Sequence, residues 1–424
     1  MPSRRSFIGL PLAAFALSPL SLLRAAENPE QKTSAAFASP PVVQNPSPEG
    51  CTFTFRVSGL ASAEIHWGLS PDKLDQVVKA AHHGLIQADD RILSLRLRLS
   101  ADAFPADGII HYQIVLLPLR YRNAYKLERG APVNSPVRRL KLPRRDAKSF
   151  SLCAVSDTHE AAATLAGLAR RIEALNPDLL VWNGDTCRDF DPGDNPAAIL
   201  LDNGAGPSPE LGGWASTRPL LFVPGNHDVR GQLAQDVPLS MRPWPGDPDL
   251  AYNFAIRCGP VALIGLETGE DKPDAHPAFA GMAAYEEHRR RQAEWLKEAV
   301  KRPAIASAPY KVALCHIPLR GTGIDDDDGR TVSRNGYAHH SGEGLELWGP
   351  VLRAAGFRLV ISGHTHQWRI QDPDATESLM QAVGGGPQSD NAVVIHLDAD
   401  DKRLLLRIED FSGKEVARRE LAPS

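Results

Sequence analysis

The chain has 424 residues, room for two domains or for one large domain with a small companion. Apolar residues make up 42% and charged residues 23%, the composition of a soluble globular protein and not of a disordered or fibrous one. A net charge of −4 argues against nucleic acid or an anionic membrane as the main partner.

The first residues differ in kind from the rest. Ser3-Arg4-Arg5-Ser6-Phe7-Ile8 sets an arginine pair ahead of apolar residues, as twin-arginine export signals do. The apolar stretch from Phe7 to Leu23 is short and is broken by Pro11 and Pro19, which fits a removed signal better than a membrane anchor. The expectation is an export signal over residues 1–26, with cleavage after Ala26 or as late as Ala38, and a periplasmic or extracellular protein without a stable transmembrane anchor. Residues 27–40 read as a linker of small and polar residues. Five cysteines, at 51, 153, 187, 258 and 315, are an odd number, so at least one stays free or pairs between chains. None has the CxxC spacing of a thiolate zinc site.

From Pro41 to Leu142 the hydrophobic period is two. Phe53, Phe55 and Val57 alternate with Thr54 and Arg56, and Leu93, Leu95, Leu97 and Leu99 alternate with Ser94, Arg96 and Arg98. Such strands show one face to a core and the other to water. Separated by turn residues, they predict a small β-sandwich of immunoglobulin or fibronectin III type over 41–142, followed by a basic, proline-containing linker.

From Phe150 to the C-terminus at residue 424 the pattern becomes alternating strand and helix. Phe150–Ser156 reads as a buried strand, Leu165, Leu168, Ile172 and Leu175 as one face of a helix that Asn176-Pro177 ends, and Leu179–Trp182 as the next strand. Leu220–Val223, Val312–Cys315 and Leu359–Ser362 are further buried strands. Helices are expected over Ala283–Lys301 and around Leu347–Ala355, and Leu404, Leu406 and Ile408 mark a late strand.

Five polar motifs sit at the ends of these apolar runs: Asp157-Thr158-His159, Gly184-Asp185, Gly225-Asn226-His227-Asp228, His316, and Gly363-His364-Thr365-His366. In α/β sheets ligands collect where strands end in loops. Asp157 and His159, two apart at a strand end, are expected to face the same way. Taken singly, each motif has a plain structural reading; His316 on an apolar strand is by itself most often a satisfied core histidine. Asp228 aside, all five in order supply two Asp, one Asn and five His, enough to hold two metal ions with one His to spare. Imidazole and carboxylate suit Zn, Fe, Mn and similar divalent or trivalent ions.

In these residues the chain resembles the calcineurin-like metallophosphoesterase superfamily, whose pattern is D-x-H, G-D, G-N-H-[DE], H and G-H-x-H, over roughly residues 150–410. The resemblance implies a four-layer α/β/β/α sandwich of mixed sheets. It also implies two metal ions, divalent or mixed-valence. One would take Asp157, His159, Asp185 and His366, and the other Asp185, Asn226, His316 and His364, with Asp185 bridging. It implies a phosphatase or phosphodiesterase in which a metal-bridging hydroxide attacks phosphorus in line, without a phosphoenzyme. His227, not a ligand, would act as general acid. A carboxylate hydrogen-bonded to the other ring nitrogen commonly orients such a histidine, which makes Asp228 the candidate for His227. A β-sandwich ahead of such a domain resembles purple acid phosphatases. Here, however, His159 stands where those enzymes have Gly, and Arg188 where they place the metal-binding Tyr, so a purple Fe(III)–tyrosinate site is not expected. The substrate implied is a phosphoester, a small molecule sooner than a macromolecule. Arg188 and Arg230 are candidates for phosphate oxygens. Residues 318–348, with Asp325–Asp328 and His339-His340, read as a polar insert of the kind that sets specificity. The alternative reading is a non-catalytic, metal-containing, exported surface-binding module.

Overall fold

The computed structural model describes residues 33–47, 49–79, 91–100, 104–202, 214–245, 248–321 and 337–423. The export-signal region 1–26 and the acidic run Asp325–Asp328 lie outside the described residues. Among those described, no helix is long and apolar enough to cross a membrane.

Two sheets stack face to face. The larger has nine strands: β1 (Val42–Ser47), β2 (Gly50–Arg56), β5 (Ile92–Arg98), β10 (Phe150–Val155), β11 (Leu179–Asn183), β12 (Leu220–Val223), β19 (Val393–Ala399), β20 (Leu404–Asp410) and β21 (Glu415–Leu421). Their spatial order is β21-β20-β19-β10-β11-β12-β1-β2-β5. The second has six: β13 (Phe254–Cys258), β14 (Val261–Gly265), β15 (Tyr310–Leu314), β16 (Leu359–Ser362), β17 (Arg369–Gln371) and β18 (Met380–Val383), in the order β13-β14-β15-β16-β18-β17. Within each sheet the central strands run parallel and the edges antiparallel.

Alternate residues of each central strand serve two cores. Leu152, Ala154, Val181 and Leu221 meet Leu263, Val312, Leu314 and Ile361 between the sheets. Their neighbours Cys153, Val155, Leu180 and Trp182 face the other way, onto Leu165, Leu168 and Ile172 of α1 (Ala162–Leu175). On the outer face of the six-stranded sheet, Ile264, Ala313 and Cys315 pack against Leu296 of α3 (Tyr285–Ala299) and Trp348 and Leu352 of α5 (Tyr337–Ala354). Two short helices, α2 (Val237–Ser240) and α4 (Pro303–Ala306), complete the α-helices among the described residues. The layers are therefore helix, sheet, sheet and helix, the expected four-layer arrangement. Strands covered on both faces are apolar along most of their length, which is why they read as near-continuous apolar runs interrupted only near their starts, at Ser151 in β10 and Lys311 in β15. Each fully buried leucine among them contributes roughly 2 kcal/mol. Asn176, in the left-handed region at φ 45°, ends α1 ahead of Pro177.

The N-terminal strands form a sandwich of their own. One side is β1, β2 and β5; the other is β3 (Ala61–Gly68), β4 (Gln76–Lys79), β6 (Ile109–Asn123), β7 (Lys126–Arg129), β8 (Val133–Asn134) and β9 (Arg138–Lys141). Phe53, Phe55, Leu95 and Leu97 meet Ile65, Ile110, Tyr112 and Leu140 in its core. The boundary drawn between 41–142 and 150–424 is nonetheless crossed by sheet: β1 pairs in parallel with β12, Gln44 opposite Leu220. Gln44 fixes this junction, donating from Nε2 to Ser240 O at 2.8 Å and accepting from Arg242 N at 2.8 Å. Tyr112 Oη donates to Ser216 O at 2.6 Å. Periodicity identifies a strand but not its partner, so the continuity was not readable beforehand. Gln44 is buried, and Gln44→Ala leaves both backbone groups without a partner; a loss of roughly 2 kcal/mol in urea unfolding is expected.

Two further expectations change. Residues 35–39 are not a free linker, because Ala35 is buried in the sandwich core, Phe37 bridges to Val57, and Ala38 N donates to Arg56 O. The polar insert 318–348 is in part helix, since α5 begins at Tyr337, ten residues before the periodic apolar face at Leu347. His339 and His340 fall on its first turn, where only the backbone is described.

Candidate metal centre

The five motifs converge at the strand ends of the two facing sheets. Their convergence is a matter of backbone conformation. Asp157 (φ 53°), His159 (41°), Asp185 (52°), His364 (75°) and His366 (54°) all lie in the left-handed region. That costs on the order of 1 kcal/mol each and marks a loop shaped for its side chains. Asp157 and His159 therefore do not share a face by strand alternation, as expected from their spacing: β10 ends at Val155, and the turned backbone brings them together. The glycines act by close approach. A Cβ on Gly225 would lie 2.3 Å from Asp185 Oδ1, and one on Gly363 would lie 2.5 Å from Asp157 Oδ2.

Two groups of ligand atoms result, each within 4.8 Å of one another: Asp157, His159, Asp185 and His366, and Asp185, His316 and His364. Asp185 belongs to both. Asn226 joins the second group, its Oδ1 2.9 Å from His364 Nδ1. In the first group His159 Nε2 and His366 Nε2 are 2.9 Å apart. Separations near 3 Å are those of neighbouring ligand atoms around an ion about 2.1 Å from each. His316 is fully buried and donates from Nδ1 to Asn183 O at 2.8 Å, which fixes the tautomer with Nε2 as the lone-pair nitrogen. That Nε2 lies 3.1 Å from Asp185 Oδ2 without hydrogen-bonding geometry, the relation of two ligands aimed at one ion. The residues present thus fit a pair of metal ions.

The electrostatics agree. Burial lowers His159 to about 4 and His364 to about 3, so both imidazoles are neutral near pH 7 and offer lone pairs. Burial pushes Asp157 up to about 6; His316 opposes this and the Asp185 charge adds to it. Burial also works against the Asp185 carboxylate, but His316, His227 and His159 hold it well below the usual carboxylate range. His316 is the exception: burial is overcome, chiefly by Asp185, and it rises to about 10, so without a cation it keeps a proton beside Asp185 that a bound ion would have to displace to use Nε2.

His227 stands beside the groups, its ring 4.9 Å from that of His159 and edge-on to it. Its backbone N–H donates to Asp185 Oδ1 at 3.0 Å. Its Nδ1 donates to the Arg188 carbonyl and lies 3.3 Å from Asp189 Oδ1, so Nε2 is the nitrogen outside this clamp. The expected partner, Asp228, is elsewhere. Its carboxylate accepts from the backbone N–H groups of Asp185 (2.8 Å), Gly225 (2.8 Å) and Thr186 (3.1 Å), and from the Thr186 hydroxyl. It ties the second motif's loop to the third and does not orient His227. Adjacency in sequence is no guide here, because successive residues of a tight loop point apart. With 1% exposure, Asp228 is the hub of a buried network. Asp228→Ala is expected to lower stability by about 3 kcal/mol, read by thermal or urea unfolding.

Three acids escaped the sequence reading. Asp189 holds His227. Glu270 and Asp271 are buried behind the centre, where Asn226 Nδ2 faces Asp271 Oδ2 at 3.5 Å. The last two follow β14 as the motifs follow their strands, and that was the available signal. Arg230, a phosphate candidate, is held by Glu270 at 2.8 and 2.7 Å and by Asp271 at 3.2 Å. Arg188 is exposed, with its carbonyl and not its guanidinium engaged at the site.

The calcineurin-like phosphoesterase model matches residues 150–368. A protein of Psychrobacter arcticus described as "Probable cyclic nucleotide phosphodiesterase" is 24% identical over 234 residues, covering 53% of this chain and 69% of that one. The purple acid phosphatase PPD1 from seeds of yellow lupin (Lupinus luteus) superposes with a TM-score of 0.62 at 14% identity, over 91% of this chain and 74% of that one. That likeness takes in the N-terminal β-region as well as the sandwich behind it. The chain belongs to the calcineurin-like phosphoesterase family and is a phosphoric ester hydrolase.

Proposed function

We propose that this member of the family is an exported hydrolase of small phosphoesters that works with two metal ions. The observation that carries the reading is Asp185, shared by two donor groups whose ligand atoms converge within bonding range of two ions. Asp157, His159, Asp185 and His366 would hold one ion; Asp185, Asn226, His316 and His364 would hold the other. Two ions so placed would supply Lewis acidity to the phosphate and a hydroxide nucleophile at neutral pH.

The chain's own residues do the rest. The left-handed loops fix the donor atoms before substrate arrives, and Asp228 braces two of those loops against each other. His316 is locked in one tautomer by the Asn183 carbonyl. His227, held at Nδ1 by Asp189 and Arg188, presents Nε2 as the acid that protonates the departing oxygen. Arg188 standing where the purple enzymes place Tyr supports Fe, Mn or Zn bound without tyrosinate. The packing of Ala35 and Phe37 into the sandwich supports signal cleavage after Ala26 over Ala38, and the pair Arg4-Arg5 ahead of apolar residues supports the twin-arginine route.

The description of the Psychrobacter relative makes cyclic nucleotides one class to try. A panel of aryl monophosphates, bis-aryl phosphates and cyclic nucleotides, each run with Mn, Zn, Fe and Mg, tests the reading. Hydrolysis of at least one class with metal is expected. Silence across the panel in protein carrying both ions contradicts it.

A further inference from the structure

The N-terminal sandwich carries a projecting ribbon. β3 begins at Ala61, opposite Pro118, and Leu119 N donates to Leu60 O. From Arg120 outward, β6 pairs among the described residues with β7 alone, Tyr121 opposite Leu127 and Asn123 opposite Lys126. We propose that this hairpin docks on the anionic head groups of a lipid bilayer and holds the enzyme at a membrane surface.

The ribbon joins apolar side chains to positive charge. Tyr121 and Leu127, side by side on one face, are 48% and 42% exposed, and Tyr125 at the turn is 102% exposed. Asn123 Oδ1 accepts from Tyr125 N at 2.9 Å, which sets the turn that presents the ring. A two-stranded ribbon is marginally stable in water, and three large apolar groups on one add a cost unless something covers them. The same ribbon holds Arg120, Arg122, Lys126 and Arg129 against one acid, Glu128. Glu128 lies 2.7 Å from Arg122 Nε, so a surplus of positive charge surrounds Tyr125. The whole chain stands at −4, which makes any attraction to an anionic surface local to this ribbon. Tyrosine rings among Lys and Arg suit the head-group level of a bilayer, where the ring enters the acyl boundary and the charges stay in the polar layer.

A second observation gives the direction. Thr33, the first described residue, lies against the base of the hairpin. A Cβ on Gly130, which follows β7, would come within 2.4 Å of Thr33 O and 3.1 Å of Pro118 Cβ. Whatever precedes Thr33 therefore joins the body beside the ribbon. The apolar stretch Phe7–Leu23 ends ten residues earlier in the sequence, a span of at most about 35 Å. In a chain exported on that stretch the hairpin faces the bilayer until the signal is cut, and its surface chemistry keeps it there afterwards. This placement selects lipid, because charge and aromatic rings alone would also suit an anionic polymer. The inference uses the proposed export, but vesicle binding reads it without hydrolysis, so it and the proposed reaction fail separately.

The test sediments the exported chain, from Glu27 on and so with every described residue, with vesicles of phosphatidylcholine alone or with about a third phosphatidylglycerol. Partition onto the anionic vesicles is expected to be at least about tenfold stronger, and to weaken in about 0.5 M salt. The double variant Tyr125→Ser, Lys126→Ser should lose at least about tenfold of that binding, with turnover of a small phosphoester as in the wild type. Both side chains are exposed at the turn, so the variant folds; Arg129→Ser, on the other strand, should lose about fivefold. Lys402→Ser removes an exposed cation between β19 and β20 and should bind as the wild type does. Equal partition onto both vesicles, partition onto neither, a tip variant that binds like the wild type, or an equal loss in Lys402→Ser overturns the proposal. A concentration-dependent dimer that the tip variant abolishes, without vesicle binding, assigns the ribbon to a second copy of the chain and overturns it as well.

Discussion

Asp185→Asn is expected to reduce phosphoester turnover by roughly 10³-fold or more and to leave the protein short of metal. The carboxylate belongs to both groups of ligand atoms, so one substitution weakens both at once. It lies 3.1 Å from His316 Nε2 and 3.8 Å from His159 Nε2, central to the cluster. Asparagine keeps an Oδ1 to accept the His227 N–H, a bond of 3.0 Å in the wild type, so the loop is retained while the anionic charge is removed. Loss of activity with loss of metal and unchanged unfolding would separate a ligand role from a structural one. Wild-type turnover in this variant would contradict the assignment.

His227→Ala should leave metal content unchanged and lower kcat by about 10²- to 10⁴-fold for esters of ordinary alcohols. An alkoxide is a strong base and leaves slowly without a proton. Nitrophenolate leaves without one, so for a nitrophenyl ester the loss should be much smaller. Comparing the two esters in the variant distinguishes an acid from a residue that merely shapes the pocket. The geometry behind this is the clamp on Nδ1 by Asp189 and the Arg188 carbonyl, which aims the other nitrogen. Equal losses on both esters would remove His227 from the acid's role.

The chain announced its central sheets because β10, β11, β12, β15 and β16 are covered on both faces. Such strands are apolar at nearly every position (Ser151 and Lys311, near strand starts, depart from it), and the polar residues that end them then stand out. That single contrast revealed both the strands and the motifs that gather at the metal centre. Other features left no local trace. The pairing of β1 with β12 joins Gln44 to Leu220, and no period in either segment encodes the partner. The left-handed turns at Asp157, His159, Asp185, His364 and His366 occur without glycine at those positions, so the convergence followed from a conformation the residue types disfavour. Asp228 was assigned by its place beside His227, although its hydrogen bonds run to three backbone amides of two loops. The first turns of α5 contain Ser341, Gly342 and Gly344, poor helix formers that concealed them.

The second sheet also contributes to the centre. β14 ends at Gly265, and the segment after it carries Glu270 and Asp271 to the back of Asn226. The third motif is therefore supported from both sheets: by Asp228 and the β1–β12 pairing on one side, and by Asp271 on the other. Such support holds a metal site's donors in place to within a fraction of an ångström, as reactions at phosphorus require.

Metal titration of the metal-free protein, with phosphoester hydrolysis followed at each addition, tests the central claim most directly. The account predicts saturation close to two ions per chain, with full activity reached only as the second is taken up. Saturation at one ion, or activity in metal-free protein equal to that of the loaded form, would contradict it.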